Sequence, residues 1–229
     1  MNIVDKKEFF LGAGLLAAFF VVLVIFFSPV FDGKNGLEYL DNLYNSISKG
    51  SAYYIPDLKK EVGAYSGTSV NLTLMMDSDE QADQTAKLFN QGGALVNTNG
   101  KQLSIAGDLA AILENCLVDS DLMYANSGEQ LSAKYGYNER QVIYNWWNAG
   151  KEMDKSLSKQ ELFKEAKIVG TVNKKAVETA YNYYKIQPQK ISDKYGVVIF
   201  SLVFYVVYTL WYGFAILFMF EGWGLKLEH

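Results

Sequence analysis

A chain with one long apolar run near each end has few ways to fold, and this chain is built that way. Phe9 to Phe31 is interrupted only by Ser28-Pro29 near its close, and Gly196 to Phe220 carries no charge. A hydrocarbon core of about 30 Å needs roughly 20 helical residues, so each run is long enough to cross one and poorly suited to a soluble core. The expected fold class is therefore an α+β membrane protein. Two transmembrane helices, 9–31 and 195–220, flank a mixed domain over 32–194, and residues 1–8 and 221–229 remain as short tails.

The first run could also be a secretory signal, since Lys6 and Lys7 precede it. Its apolar stretch exceeds the roughly 7–15 residues of a signal h-region and no A-x-A-like site follows, so an uncleaved anchor is the expectation. The two lysines favour a cytoplasmic N-terminus, although Lys185, Lys190 and Lys194 before the second run argue against it. An even number of spans returns both tails to the same side. The central domain is then extracytoplasmic, in a cell inner or plasma membrane. Tails this short cannot form a catalytic module. The ending Leu227-Glu228-His229 resembles the scar before an expression tag.

That ending holds the one histidine, and Cys116 is the one cysteine. Histidine-ligated haem, histidine-bound zinc, Ser-His-Asp and Cys-His catalytic groups and an intrachain disulfide all lack their atoms. No catalytic, cofactor-binding or metal-binding residue is assigned, and no cofactor is expected. Cys116 lies in the apolar run from Leu113 to Val118 and reads as a small buried hydrophobe. With a net charge of −4 and Arg140 as its single arginine, the chain lacks the basic face that nucleic-acid binding requires.

Within the domain, Leu37, Leu40, Leu43, Tyr44 and Ile47 recur at helical spacing, with Gly50 as a stop. A short helix follows Pro56. Val70, Leu72 and Leu74 then alternate with polar residues as in a strand, and Asp77 or Ser78 can cap a helix running to Gly92-Gly93. Two short apolar runs flank Asn99-Gly100, which suits a type I′ hairpin turn. Asp108 can cap the next helix. The order β-α-β-β-α suggests a small sheet with helices on one face, as in split βαβ arrangements. A helix beginning near Asn138 and carrying Val142 to Met153, and another, led into by Leu162, Phe163 and Ile168, that includes Ala176 to Tyr184 and ends before Pro188, complete the domain.

Asp77-Ser78-Asp79 with Asp83 superficially matches a calcium loop, but Gln81, Ala82 and Leu88 stand where a ligand, a glycine and a bidentate glutamate belong. Asp119-Ser120-Asp121 reads as a solvated turn. Tyr144, Trp146, Trp147, Tyr183 and Tyr184 form aromatic groups that suit an interaction surface, a core or a membrane-interface belt. In the second span Ser201, Tyr205, Tyr208, Thr209 and Tyr212 place five hydroxyls along one helix face; such groups need partners inside a bilayer. On the first span Gly14 and Ala18, with Gly12 and Ala17 beside them, have close-packing spacing.

Function is expected to be non-enzymatic: an oligomeric integral membrane protein presenting an extracytoplasmic interaction domain, as a scaffold or accessory subunit. Its expected partners are the lipid bilayer, further copies of itself and other membrane subunits. The alternative is an oligomeric channel or transport subunit whose second span lines a pore.

Overall fold

The computed structural model describes residues 3–225, so Leu227-Glu228-His229 lies outside the described residues. The described residues are about 70% helical and include one small sheet. It divides into two compact units: residues 1–48 with 188–229, and residues 49–187. The second unit is narrower than the 32–194 domain expected, because the helix Gly36–Ser51 (α2) belongs mostly to the first.

The first unit contains two helices long and apolar enough to cross a membrane, α1 (Lys6–Phe27) and α10 (Ile191–Gly222). The α1 bounds differ from the expected 9–31. Asp5 caps the helix by accepting from the Lys7 and Glu8 amides at 2.8 and 3.2 Å, which starts it three residues early. At the other end the Ser28 hydroxyl donates back to the Val24 carbonyl and Pro29 cannot continue the ladder, so the helix stops at Phe27. Gly12 makes the close approach of α1 to α10: a Cβ there would lie 2.7 Å from the Ala215 oxygen and from the Met219 nitrogen. Phe19 is buried in the same seam, stacked on Tyr208 with centroids 4.7 Å apart. Trp211 donates its indole N–H to the Leu15 carbonyl at 3.0 Å.

The second unit holds α3 (Ile55–Gly63), β1 (Ser69–Met75), α4 (Asp79–Gln91), β2 (Leu95–Asn99), β3 (Gln102–Asp108), α5 (Leu109–Tyr124), α6 (Gly128–Tyr135), α7 (Glu139–Lys159), α8 (Phe163–Val172), a π-helical turn (Asn173–Val177) and α9 (Glu178–Asn182). The sheet order is β1-β3-β2, and β3 pairs antiparallel with both neighbours. β1 and β2 are thus parallel to each other with β3 in the gap, the split arrangement the element order suggested. Val70, Leu72, Leu74, Leu103 and Ile105 turn one face into the helical core. The other face, with Asn71, Thr73, Ser104, Leu95 and Asn97, is open.

The hairpin turn differs from expectation by one residue. Asn99 pairs with Gln102, so Gly100 and Lys101 form the turn. Gly100 has φ +55° and Lys101 is not among the residues of positive φ. Glycine at the first central position with an ordinary second residue is the type II′ requirement, whereas type I′ needs both positive. Ser78 is the α4 cap, accepting from the Gln81 amide at 3.1 Å, while Gln81 accepts from the Asp77 amide.

Candidate functional site

Beside a buried amide network in which Asn145 bonds Gln81, Gln84 and Gln141, three clusters carry the charged and aromatic chemistry of the second unit, and two of them are closed. The first surrounds Asp119, which is fully buried on α5. Its Oδ1 accepts from Lys134 Nζ at 2.8 Å, and its Oδ2 accepts from the Tyr135 hydroxyl at 2.6 Å and the Trp146 indole at 2.8 Å. Asn115 donates to the Tyr135 oxygen and accepts from Lys134. The Asp119-Ser120-Asp121 stretch is therefore a helical segment and not a solvated turn: Asp119 faces inward, Ser120 donates to the Cys116 carbonyl, and Asp121 accepts from Tyr53 and Lys59. A cavity against Cys116 and Trp146 has about 10 Å³, which admits at most a water.

Burial and the neighbouring Asp119 push the Cys116 thiol far above its usual range. The reactive species is the thiolate. We expect no maleimide labelling of native protein over hours at pH 7.5 and complete labelling in denaturant; rapid labelling of the native chain would show that this core opens.

The second closed cluster is built on Lys49, only 2% exposed. Its ammonium donates to Asn126 Oδ1 at 2.9 Å and to the Tyr183 and Ile186 carbonyls at 3.0 and 2.8 Å, over the Tyr124 ring. Among the described residues no carboxylate forms an ion pair with it. Burial lowers its pKa, yet three oxygens saturate its donors, leaving none for a substrate.

Lys49 is one pole of the alkaline behaviour of this unit, and five tyrosines are the other. Tyr53, Tyr124, Tyr135, Tyr137 and Tyr184 all have raised pKa values, first because burial penalises phenolate; Tyr53 and Tyr137 are pushed up to about 12. Above the unfolded tyrosine value of about 10 the unfolded chain loses protons that the folded chain retains, so this stability is intact below pH ~10 and declines above it. Lys49 works in the opposite direction as one group against five. Thermal melts should be level to about pH 9 and fall beyond pH 10, and Tyr137→Phe should reduce that fall. A melting temperature that rises above pH 10 would contradict the assignment.

The third cluster is open. Ile143, Tyr144 and Trp147 of α7, Val177 of the π-helical turn, and Glu178, Tyr181 and Asn182 of α9 line a groove of about 320 Å³. The extra residue of a π-turn changes the phase of the helix that follows it. The turn is seated by Asn173, whose Nδ2 donates to the Trp147 carbonyl at 3.1 Å, and Gly150 admits it: a Cβ there would stand 2.8 Å from Asn173 Cγ. Glu178 Oε1 accepts from the Trp147 indole at 2.9 Å, fixing that ring. Lys151 lies 4.2 Å from the centre of the Trp147 ring, and Arg140 lies over both Tyr181 and Tyr184.

Of the five aromatic residues expected to form an interaction surface, the structure presents two. Tyr144 and Trp147 flank the groove, whereas Trp146 and Tyr184 are 2% and 6% exposed and Tyr183 packs against Tyr124. Consecutive positions on a helix point about 100° apart, so a contiguous aromatic stretch cannot face one way. Tyr181, which belongs with Tyr183 and Tyr184 to the second aromatic group of the sequence, and Glu178, which nothing in the sequence singles out, complete the groove; the phase set by the π-turn was not legible.

The expected helix-packing residues also divide. In the first unit Ser201 shares a hydrogen bond with the Tyr44 hydroxyl at 2.6 Å, and Tyr208 and Tyr212 contact Phe19. Tyr205 is 67% exposed, and Thr209 is exposed and donates to the Tyr205 carbonyl. Gly14 and Ala18 face away from α10 within this chain: nothing lies within 4 Å of a Cβ at Gly14, and Gly12 takes the close contact. Among the described residues no cluster of three or more His, Cys, Asp or Glu side chains could hold a metal ion. No protein-family model matches this chain, and no curated protein or solved structure matches it.

Proposed function

We propose that this chain is a non-enzymatic, oligomeric two-pass membrane protein that works by binding, as a scaffold or accessory subunit of a membrane assembly. In this reading α1 and α10 anchor it in a cell inner or plasma membrane, with Lys6 and Lys7 on the cytoplasmic side and the 49–187 unit outside. The observation that supports binding most directly is the contrast among the three clusters. Asp119 and Lys49 spend their hydrogen-bonding capacity inside the protein, while Tyr144, Trp147 and Tyr181 stand beside an open groove. Aromatic residues at a concave surface supply the anchors that dominate protein–protein affinity. A pore lined by the second span draws less support, because Ser201 and Thr209 already have partners within the chain.

The test is affinity purification from native membranes in mild detergent. We expect a stoichiometric partner subunit with the wild type. The Tyr144→Ala/Tyr181→Ala variant should lose it at an unchanged melting temperature. A partnerless monomer under these conditions overturns the proposal.

A further inference from the structure

Among the side chains that line the open groove on α7 and α9, Glu178 alone carries a charge. One of its oxygens, Oε1, accepts from the Trp147 indole, and among the described residues the carboxylate forms no ion pair. Aromatic surface surrounds it: Tyr144 and Tyr181 are each 38% exposed. Across Tyr144 lies a second recess of about 280 Å³, with Asp77 and Glu80 in its wall and no basic residue. Glu80 already complements the N-terminal turn of α4, so Glu178 and its aromatic surroundings carry the argument.

We propose that the groove receives a lysine side chain of the partner subunit, with its ammonium beside Glu178 and its aliphatic stem along the Tyr144, Trp147 and Tyr181 rings. This contact rests on the binding function proposed for the groove and names its chemistry. An anionic occupant would meet the carboxylate at close range. A neutral apolar one would take that carboxylate out of water with the indole N–H as its compensation, which is costly. A cation on an aliphatic stem pairs with the carboxylate, lays its charge against ring faces and buries its methylenes.

The geometry also separates lysine from arginine. A guanidinium fork engages both oxygens of a carboxylate, whereas Glu178 has already given Oε1 to Trp147. The remaining oxygen suits the point charge of an ammonium. Because the groove is open on one side, a free alkylammonium would leave much of its surface in water, short of the burial small-ligand sites provide. A side chain carried by a folded partner brings contacts on the surrounding surface as well. Two cations of this chain already stand on the rings, Lys151 on Trp147 and Arg140 on Tyr181, and neither belongs to the groove wall. They oppose an incoming ammonium, which gives the proposal a sign that can be tested.

The test compares the full-length wild type, Glu178→Gln and Lys151→Ala, each affinity-purified from native membranes in mild detergent. Glu178→Gln keeps an oxygen for the Trp147 indole and removes the charge. It should lower recovery of the partner subunit about tenfold at an unchanged melting temperature. Lys151→Ala removes a like charge from beside the bound ammonium and should raise recovery in elevated salt. Zero-length carbodiimide coupling of the wild-type complex, mapped by mass spectrometry, should join Glu178 to a lysine of the partner subunit. A partner retained in full by Glu178→Gln, or coupled only through residues outside the groove, overturns this contact and leaves the binding function standing. Recovery lowered by Lys151→Ala marks an anionic occupant, and coupling of Glu178 to a second copy of this chain marks self-association; either overturns the choice of occupant. A wild type without any partner overturns the binding function and this contact with it.

Discussion

Replacing Asp119 by alanine is expected to lower the melting temperature of the 49–187 unit by roughly 10–20 °C, corresponding to about 3–5 kcal/mol. The side chain is fully buried, and its removal strands the Tyr135 hydroxyl and the Trp146 indole as donors and leaves the Lys134 ammonium, a quarter exposed, without its carboxylate and with Asn115 as its remaining acceptor. A buried donor without an acceptor costs its desolvation in full, and a charged one costs more. Asp119→Asn should cost less, since one amide oxygen still accepts while the amide nitrogen meets donors. The measurement is a thermal melt of the full chain in detergent, followed by near-UV circular dichroism, where Trp146 reports. A shift below about 3 °C for the alanine variant would show that the network adds little.

The second large effect belongs to the helix pair. Gly12→Leu is expected to separate α1 from α10, because even a Cβ would stand 2.7 Å from Ala215 and Met219 backbone atoms, which cannot yield as a flexible side chain can. Gly14→Leu should be nearly silent for this contact, as its side is open. A disulfide reporter between the two helices would read both, and disruption by Gly14→Leu alone would reverse the assignment of faces.

Residues 12 and 14 also show where sequence reasoning gave out. Gly12, Gly14, Ala17 and Ala18 all have the right size for close packing. Choosing among them requires the rotational phase of α1, and a helix that is apolar on every side carries no moment to reveal it. The strand β1 was legible for the converse reason: one face is buried and the other is wet, so Val70, Leu72 and Leu74 alternate with polar neighbours. The cap residues Ser78 and Asp108 were legible because their partners lie three positions on. Asp119 was not, since its partners stand 15 to 27 residues away and a carboxylate between serine and apolar residues looks like surface. α6 escaped notice because its eight residues bury only Gly128, Leu131 and Tyr135, although Gly136 at φ +79° marks its end in the usual way. Of the groove, Tyr144 and Trp147 were visible as residues, but not which of their aromatic neighbours would turn inward.

The hydrogen bond from Trp211 to the Leu15 carbonyl joins residues 196 positions apart in the chain. At about 5–20 residues per second of synthesis, α1 emerges roughly 10–40 s before α10 exists. For that interval Gly12 and Phe19 have no α10 seam to enter. The ribosome thus imposes an order on this molecule: α1 waits, the 49–187 unit has time to fold, and the helix pair closes last.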